Sequence, residues 1–426
     1  MSQRLLFCIH ITTMLNILIN AYAVSPNWGS EQGMGWNWIA NLAKYCNVFV
    51  ITEGEFREHI KAAVAELPQG KNMHFYYNPQ PDKVRKMCWN QGDWRFYWYY
   101  RKWQKKTLKI AEQIIAENRI DIIHQLNMIG FREPGYLWKI ERIPFVWGPI
   151  GGMDLMPVSY LHGAGWKTYM KNKLKNVINS WQMYHQPRVL KAIGRADYLI
   201  AATGRAYNVL HDYHFKNNVV LINETGCNTQ FITHQTTFFN NECFNILWVG
   251  KFDFRKQLGL ALKAVAATNN KHIYIHICGK GEENAEKLMR QQAETEGITA
   301  QVYWHGNVDH DKIFGMMKNA DLFFFTSIME ATSTVVLEAI STGLPVLCFN
   351  TCGFGPLVKE FAGETIELSD PETSIREFTE KINMLYHDRD RLETIRRQEM
   401  ANRERLSWDS KARETVEIYQ ACKKDD

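Results

Sequence analysis

Two glutamates eight positions apart, Glu330 and Glu338, carry the clearest chemistry in this sequence. They lie in the text Asp321-Leu-Phe-Phe-Phe-Thr-Ser-Ile-Met-Glu330-Ala-Thr-Ser-Thr-Val-Val-Leu-Glu338-Ala-Ile-Ser-Thr-Gly343-Leu-Pro345. The apolar run after Asp321 predicts a strand buried on both faces of a parallel sheet. Residues 334–342 take a helical pattern, which Gly343 and Pro345 end as a C-terminal glycine and following proline do. Glu330 therefore falls in the loop at the strand's carboxyl end, and Glu338 about one turn into the helix. Between them the amides of Ser333, Thr334 and Val335 form a helix N-terminus, where unpaired donors and the helix dipole favour an anion. Two carboxylates flanking an anion site suit a ligand with phosphate in its middle and hydroxyls at both ends, the composition of a nucleotide sugar. The spacing alone is a loose signal, because glutamates at helix starts are common.

Other residues add to it. Phe244-Asn-Ile-Leu-Trp-Val-Gly250-Lys251-Phe-Asp-Phe-Arg255-Lys256-Gln-Leu reads as a buried strand, a glycine turn and three cations before a helix. A glycine turn at a strand's carboxyl end lets Lys251, Arg255 and Lys256 meet a diphosphate at short range; the competing reading is solvated charge at a helix start. Gly279 and Gly281 directly follow a strand ending at Cys278, where the backbone can approach a ligand closely. Trp28-Gly29-Ser30-Glu31 follows the first strand and opens a helix, so the Gly29 and Ser30 amides are candidates for the same phosphates. The glycine spacing there is not that of a dinucleotide fingerprint, and no acidic residue ends the second strand to hold a ribose. His124, in Asp121-Ile-Ile-His124-Gln-Leu126-Asn, stands near a strand end and is a candidate catalytic side chain, although a single histidine in that place is more often structural.

Strand-like and helix-like segments alternate from end to end, which predicts α/β architecture with parallel sheets. Strands are expected at 15–21, 47–52, 121–126, 144–148, 197–202 and 218–222, then at 245–250, 272–278, 301–305, 321–326 and 345–349. Residues 231–242 between these sets are polar and aperiodic, which places a domain boundary near 237. A length of 426 residues accommodates two domains, and a hydrophobic content of 46% fills their cores. A net charge of +5 permits an anionic substrate or membrane surface without demanding nucleic acid. The nine cysteines form no Cys-x-x-Cys pair, and several sit in apolar strand text. That pattern fits reduced, buried thiols and a cytoplasmic setting, and opposes a disulfide framework or zinc site. Met14–Tyr22 reads as the first strand, with residues 1–13 as an extension; a signal anchor is the competing reading for this uncharged stretch. Trp94–Lys109 interleaves aromatics with arginines and lysines, and reads either as an ordinary amphipathic helix or as a contact for anionic lipid.

The segment 320–350 resembles the Glu-x7-Glu region of the retaining glycosyltransferases of family 4 (glycosyl transferases group 1), and Phe145-Val-Trp147-Gly148-Pro149-Ile-Gly151-Gly152 resembles a strand and cleft loop of a branch that builds bacterial surface polysaccharides. The resemblance extends from Met14 to about Tyr419. It implies the GT-B fold: two doubly wound, Rossmann-like domains facing across a cleft. Residues 1–237 would form the acceptor side and 238–405 the nucleotide-sugar side, with 406–426 a helix crossing back to the first domain. By the resemblance Glu338 holds the ribose hydroxyls and Glu330 the donor sugar or departing phosphate. Gly29, Ser30, Gly250, Gly279, Ser333, Thr334 and Val335 would complete the donor site. Lys256, with Lys251 or Arg255, would neutralise the leaving diphosphate, and His124 would approach the sugars. The chain departs from the family pattern at Lys251, Gln257, Leu126 and Trp28, where arginine, glycine, histidine and glycine are usual. The implied reaction moves a hexose-type sugar from a nucleoside diphosphate to a hydroxyl of a glycan or lipid-linked acceptor, with retention, no metal or other cofactor, and no nucleic acid, in the cytoplasm or at the inner face of the membrane. A non-catalytic sugar-nucleotide or glycan-binding homologue and a nucleotide-sugar epimerase remain open alternatives.

Overall fold

The computed structural model describes residues 14–89, 93–161, 165–213, 216, 218–228 and 243–424. The expected extension at 1–13 and the boundary near 237 lie outside the described residues.

The described chain builds two parallel sheets. The first contains β1 (Asn16–Ala21), β2 (Asn47–Thr52), β3 (Met73–Tyr77), β4 (Ile122–Asn127), β5 (Phe145–Ile150), β6 (Tyr198–Ala201) and β7 (Val219–Leu221), ordered β3-β2-β1-β4-β5-β6-β7. The second contains β8 (Phe244–Val249), β9 (Ile273–Cys278), β10 (Val302–Gly306), β11 (Leu322–Phe325), β12 (Val346–Phe349) and β13 (Glu364–Ile366), ordered β10-β9-β8-β11-β12-β13. The fold class is therefore α/β, GT-B-like, with two Rossmann-like units. Each order reverses once, between β1 and β4 and between β8 and β11. Ligands of open α/β sheets bind beyond the strand carboxyl ends at such switch points.

The central strands are apolar throughout because helices cover both sheet faces. Ile17 and Ile19 enter one core with Val48 and Val50, while Leu18 enters the opposite core with Phe49 and Ile51. The second sheet and its helices share one continuous core around Trp248, Phe323, Phe324 and Phe378. The helix Trp408–Lys424 returns to the first unit, packing Trp408, Ile418 and Tyr419 beside Trp36 and Trp38 of helix Ser30–Leu42. Its arrival is fixed by the Cys227 amide, which donates to Leu406 O at 2.9 Å, and by the Lys44–Asp409 ion pair at 2.9 Å.

The sequence pattern passes over β3 and β13. Both lie at sheet edges and are short, and β3 is largely half-buried or exposed, so neither shows a two-sided apolar run. In helix Arg95–Glu117 the aromatics Phe96, Tyr100 and Trp103 pack against Tyr22, while Trp94, Tyr97 and Trp98 remain exposed. Most of that stretch is thus an amphipathic helix serving its own core. No described helix is long and apolar enough to cross a membrane.

Candidate functional site

The loops after β1, β4 and β11 converge on a cleft of about 1170 Å³ between the two units. Gly29 and Ser30 line it from the first unit; Glu330, Ser333, Thr334, Val335 and Glu338 line it from the second. Ser30 adopts φ 55°, a left-handed turn that bends the chain from β1 into helix Ser30–Leu42. The next residue, Glu31, accepts the Ile129 amide on Oε1 at 2.6 Å and so ties the β1 loop to the β4 loop. Burial raises the Glu31 pKa above the usual carboxylate range, and the Ile129 amide opposes that shift.

Helix Thr334–Thr342 begins at Ser333, whose side chain makes no capping hydrogen bond, and ends at Gly343 in the left-handed conformation. Its first residues therefore open directly onto the cleft. Glu338, buried on the second turn, accepts a hydrogen bond from His310 Nε2 at 2.9 Å. Glu330 accepts Lys256 Nζ at 2.9 Å, with both side chains mostly buried, and the same ammonium stands 4.6 Å from the Phe325 ring centre. The pair bridges β8 and β11 across the switch point of the second sheet. Two further bonds stitch those loops: Ile328 N–H donates to Arg255 O at 2.9 Å, and Thr326 Oγ1 donates to Lys256 O at 2.7 Å.

The three cations expected to act together separate. Asp253 accepts the Arg255 and Lys256 amides at 2.9 and 3.3 Å and also pairs with the Arg255 guanidinium at 3.1 Å. Lys251 is exposed, and none of Lys251, Arg255 and Lys256 lines the cleft; Lys256 reaches it only through its ion pair with Glu330. Gln257, the residue standing where a glycine is usual, has φ 51° and ψ 42°, the left-handed conformation that explains the preference. Gly250 and Gly279 serve each other: a Cβ on Gly279 would fall 1.8 Å from Gly250 O. Their amides are spent on Cys278 O and Gly306 O, at 3.0 and 2.7 Å, so the pair sets loop packing and neither lines the cleft.

The structure does not bring His124 to the cleft. It is fully buried on β4, with Nε2 2.7 Å from Gly148 O and Nδ1 2.5 Å from the Tyr419 hydroxyl. The carbonyl can only accept, so Nε2 carries the proton and Nδ1 accepts from Tyr419. Burial lowers its pKa to about 4, partly opposed by the Gly148 carbonyl. His124 is a core link between sheet and returning helix.

Sequence reasoning missed two cleft groups. His310 opens helix His310–Asn319, and Phe314, one turn later, meets its ring edge to face at 4.9 Å. Only proximity in space marks them. Glu224 ends the first unit and reaches across the seam, where Oε1 accepts the Thr332 amide at 2.5 Å. Its Oε2 has no hydrogen-bond partner among the described residues, and burial raises the carboxyl pKa to about 7. Buried Lys411 lies near enough to oppose part of that shift. Beside it Asn223 Nδ2 donates to Ala202 O, Thr332 Oγ1 and Gly353 O at 3.0–3.1 Å. The acidic residue in Asn223-Glu224-Thr225-Gly226 was the available signal.

A glycosyltransferase of Methanocaldococcus jannaschii is 26% identical over 178 residues, covering 41% of this chain and 44% of that protein. The glycogen synthase of Mycobacterium tuberculosis is 24% identical over 183 residues, covering 42% and 43%. The chain thus spans under half the length of these curated relatives. In overall fold it is similar to HepE of Anabaena, solved in complex with UDP, with a TM-score of 0.61 at 15% identity over 96% of this chain and all of that one. Residues 230–405, which hold Lys256, Glu330 and Glu338, match the family described as glycosyl transferases group 1.

Proposed function

We propose that this chain transfers a sugar from a nucleoside diphosphate sugar to a hydroxyl acceptor, with retention at the anomeric carbon, in the making of a polysaccharide or glycolipid. One observation carries the reading: Glu330 and Glu338 flank an uncapped helix N-terminus that opens into the cleft between the units. The amides at 333–335 suit the diphosphate. Glu338 is placed for the ribose hydroxyls, exchanging its bond to His310 for bonds to the ligand. Glu330, held by Lys256, is placed for the donor sugar. Lys256 then faces the charge that develops as the nucleoside diphosphate leaves, a form of stabilisation worth about 3 kcal/mol per well-placed donor. Gly29 and Ser30 approach from the facing unit. Arg255 and Lys251 contribute only through movement of their loop, since Asp253 holds the one and solvent the other.

The test is thermal stabilisation by UDP, GDP and ADP, followed by nucleotide release from the matching sugar conjugates. UDP is the first choice because the neighbouring HepE structure holds it. A shift with one nucleotide that disappears in Glu338→Ala supports the site. Stabilisation by none of the three removes the proposal.

A further inference from the structure

The helix Trp166–His185 is built inside out. Its inward side is polar: Asn176 accepts the Met156 amide at 3.1 Å and donates to Met156 O at 2.8 Å, Asn179 donates to Gly152 O at 3.3 Å, and Gln182 accepts from Arg132 at 2.7 Å. Of its twenty residues only Asn179 and Met183 are buried. Apart from buried Met183 and half-buried Tyr184, which pack against the first unit's core, its apolar residues face solvent: Trp166 is 73% exposed, Leu174 60%, Val177 60%, Trp181 58%, Met170 48% and Ile178 47%. At roughly 100° per residue these six fall within an arc of about 120°, a stripe along a helix of about 30 Å. A surface helix that serves its own fold shows the reverse, with the apolar stripe turned inward.

Charge is arranged around the stripe. On the same wheel Lys173 borders one edge and Lys171 and Lys175 the other, while Lys167 falls within the arc at the helix's first turn; all four are exposed, and the helix contains no aspartate or glutamate. We infer that this helix lies flat in the surface of a lipid bilayer carrying anionic headgroups, its stripe at the acyl boundary and its lysines on the headgroups. A second copy of the helix is a poor occupant, because it would set lysines against lysines with no carboxylate on either side. Helix Arg95–Glu117 offers less: its exposed aromatics are confined to the first turn, and Lys102 Nζ already covers the Trp98 ring at 3.5 Å. The inference does not rest on sugar transfer.

The full chain is sedimented with vesicles of phosphatidylcholine mixed with phosphatidylglycerol, and with phosphatidylcholine alone. The expected result is binding to the anionic vesicles, reduced about tenfold or more in the combined variant Trp166→Ser, Leu174→Ser, Trp181→Ser. Replacing Lys167, Lys171, Lys173 and Lys175 by glutamine should remove the preference for phosphatidylglycerol. Unchanged circular dichroism and melting temperature separate these effects from misfolding; if the serine variant loses its fold, the glutamine variant carries the test. Absence of wild-type binding to anionic vesicles overturns the inference. So does full binding by the serine variant together with release by Trp94→Ser, Trp98→Ser. A concentration-dependent dimer that the serine variant abolishes, without vesicle binding, assigns the stripe to self-association instead.

Discussion

Glu330 and Glu338 differ in what each must give up to meet a ligand. The partner of Glu338 is a histidine with 63% of its side chain exposed, whereas Lys256 and Glu330 are 13% and 19% exposed. Hydroxyls can displace the first contact at little cost, because the histidine returns to water. Glu338→Ala is therefore expected to leave the fold intact and weaken nucleotide binding by about tenfold to a hundredfold, since hydrogen bonds to a charged group contribute about 1.5–3 kcal/mol; titration calorimetry reads it directly. Lys256→Met should behave otherwise. It strands Glu330 beside an apolar side chain, so stability and turnover fall together, with kcat reduced about a hundredfold and nucleotide affinity changed far less. Equal losses of kcat and affinity would contradict the assigned role. Gln257 offers a test of backbone strain: in its left-handed turn, Gln257→Gly should raise stability by about 0.5–1 kcal/mol in urea unfolding.

At the scale of elements, the sequence revealed those parts whose physics is local. β11 and helix Thr334–Thr342 were legible because a buried parallel strand is continuously apolar and a glycine–proline stop is unambiguous. β3 and β13 were not, although the edge strands β7 and β10 were: β3 has one buried residue followed by exposed and half-buried ones, and β13 is three residues of which Glu364 and Thr365 are polar. His124 was misread for a different reason: its role depends on Tyr419, 295 positions later. Glu224 escaped for the same reason, its partner Thr332 being 108 positions away. These two buried groups give opposite pH dependence. The folded-state pKa of Glu224, about 7, exceeds the ordinary 4.5, so its contribution is complete below pH 4.5 and is lost as pH rises towards 7. The shift corresponds to about 3 kcal/mol. His124 titrates near 4 instead of 6.5, so its contribution is present above pH 6.5 and lost as pH falls towards 4. Glu224→Gln keeps an acceptor for the Thr332 amide and removes the ionisation. The variant should therefore gain stability relative to wild type between pH 5 and 8, the gain growing with pH, as followed by chemical denaturation across that range. A constant difference would place the dependence on neighbouring Lys411 or Glu414.

Across the whole molecule, the chain crosses between units twice, and the second crossing completes the first unit's core. Trp408, Ala412, Ile418, Tyr419 and Cys422 belong to the cluster around Trp38 and Ile39, although they follow the entire second unit in sequence. The second unit is different, because its core is contiguous from Phe244 to Leu406, with Tyr160, Cys227 and half-buried Met156 added from outside among the described residues. Removing residues 407–426 should thus act unequally. Burial of a large apolar side chain stabilises by about 1.5–3 kcal/mol, so losing Trp408, Ile418 and Tyr419 withdraws roughly 5–9 kcal/mol, comparable with the total stability of a domain. The same deletion leaves His124 Nδ1 without the Tyr419 hydroxyl in a closed core. Calorimetry of the truncated chain is expected to show the first unit already unfolded, or melting far below wild type, while the second unit retains a cooperative transition of its own. Nucleotide stabilisation should survive in weakened form, because Glu330, Glu338 and Lys256 all lie in the second unit, whereas transfer should vanish with the facing wall at Gly29 and Ser30. A single transition at the wild-type temperature would mean that the returning helix only rests on the first unit and that the core is closed without it.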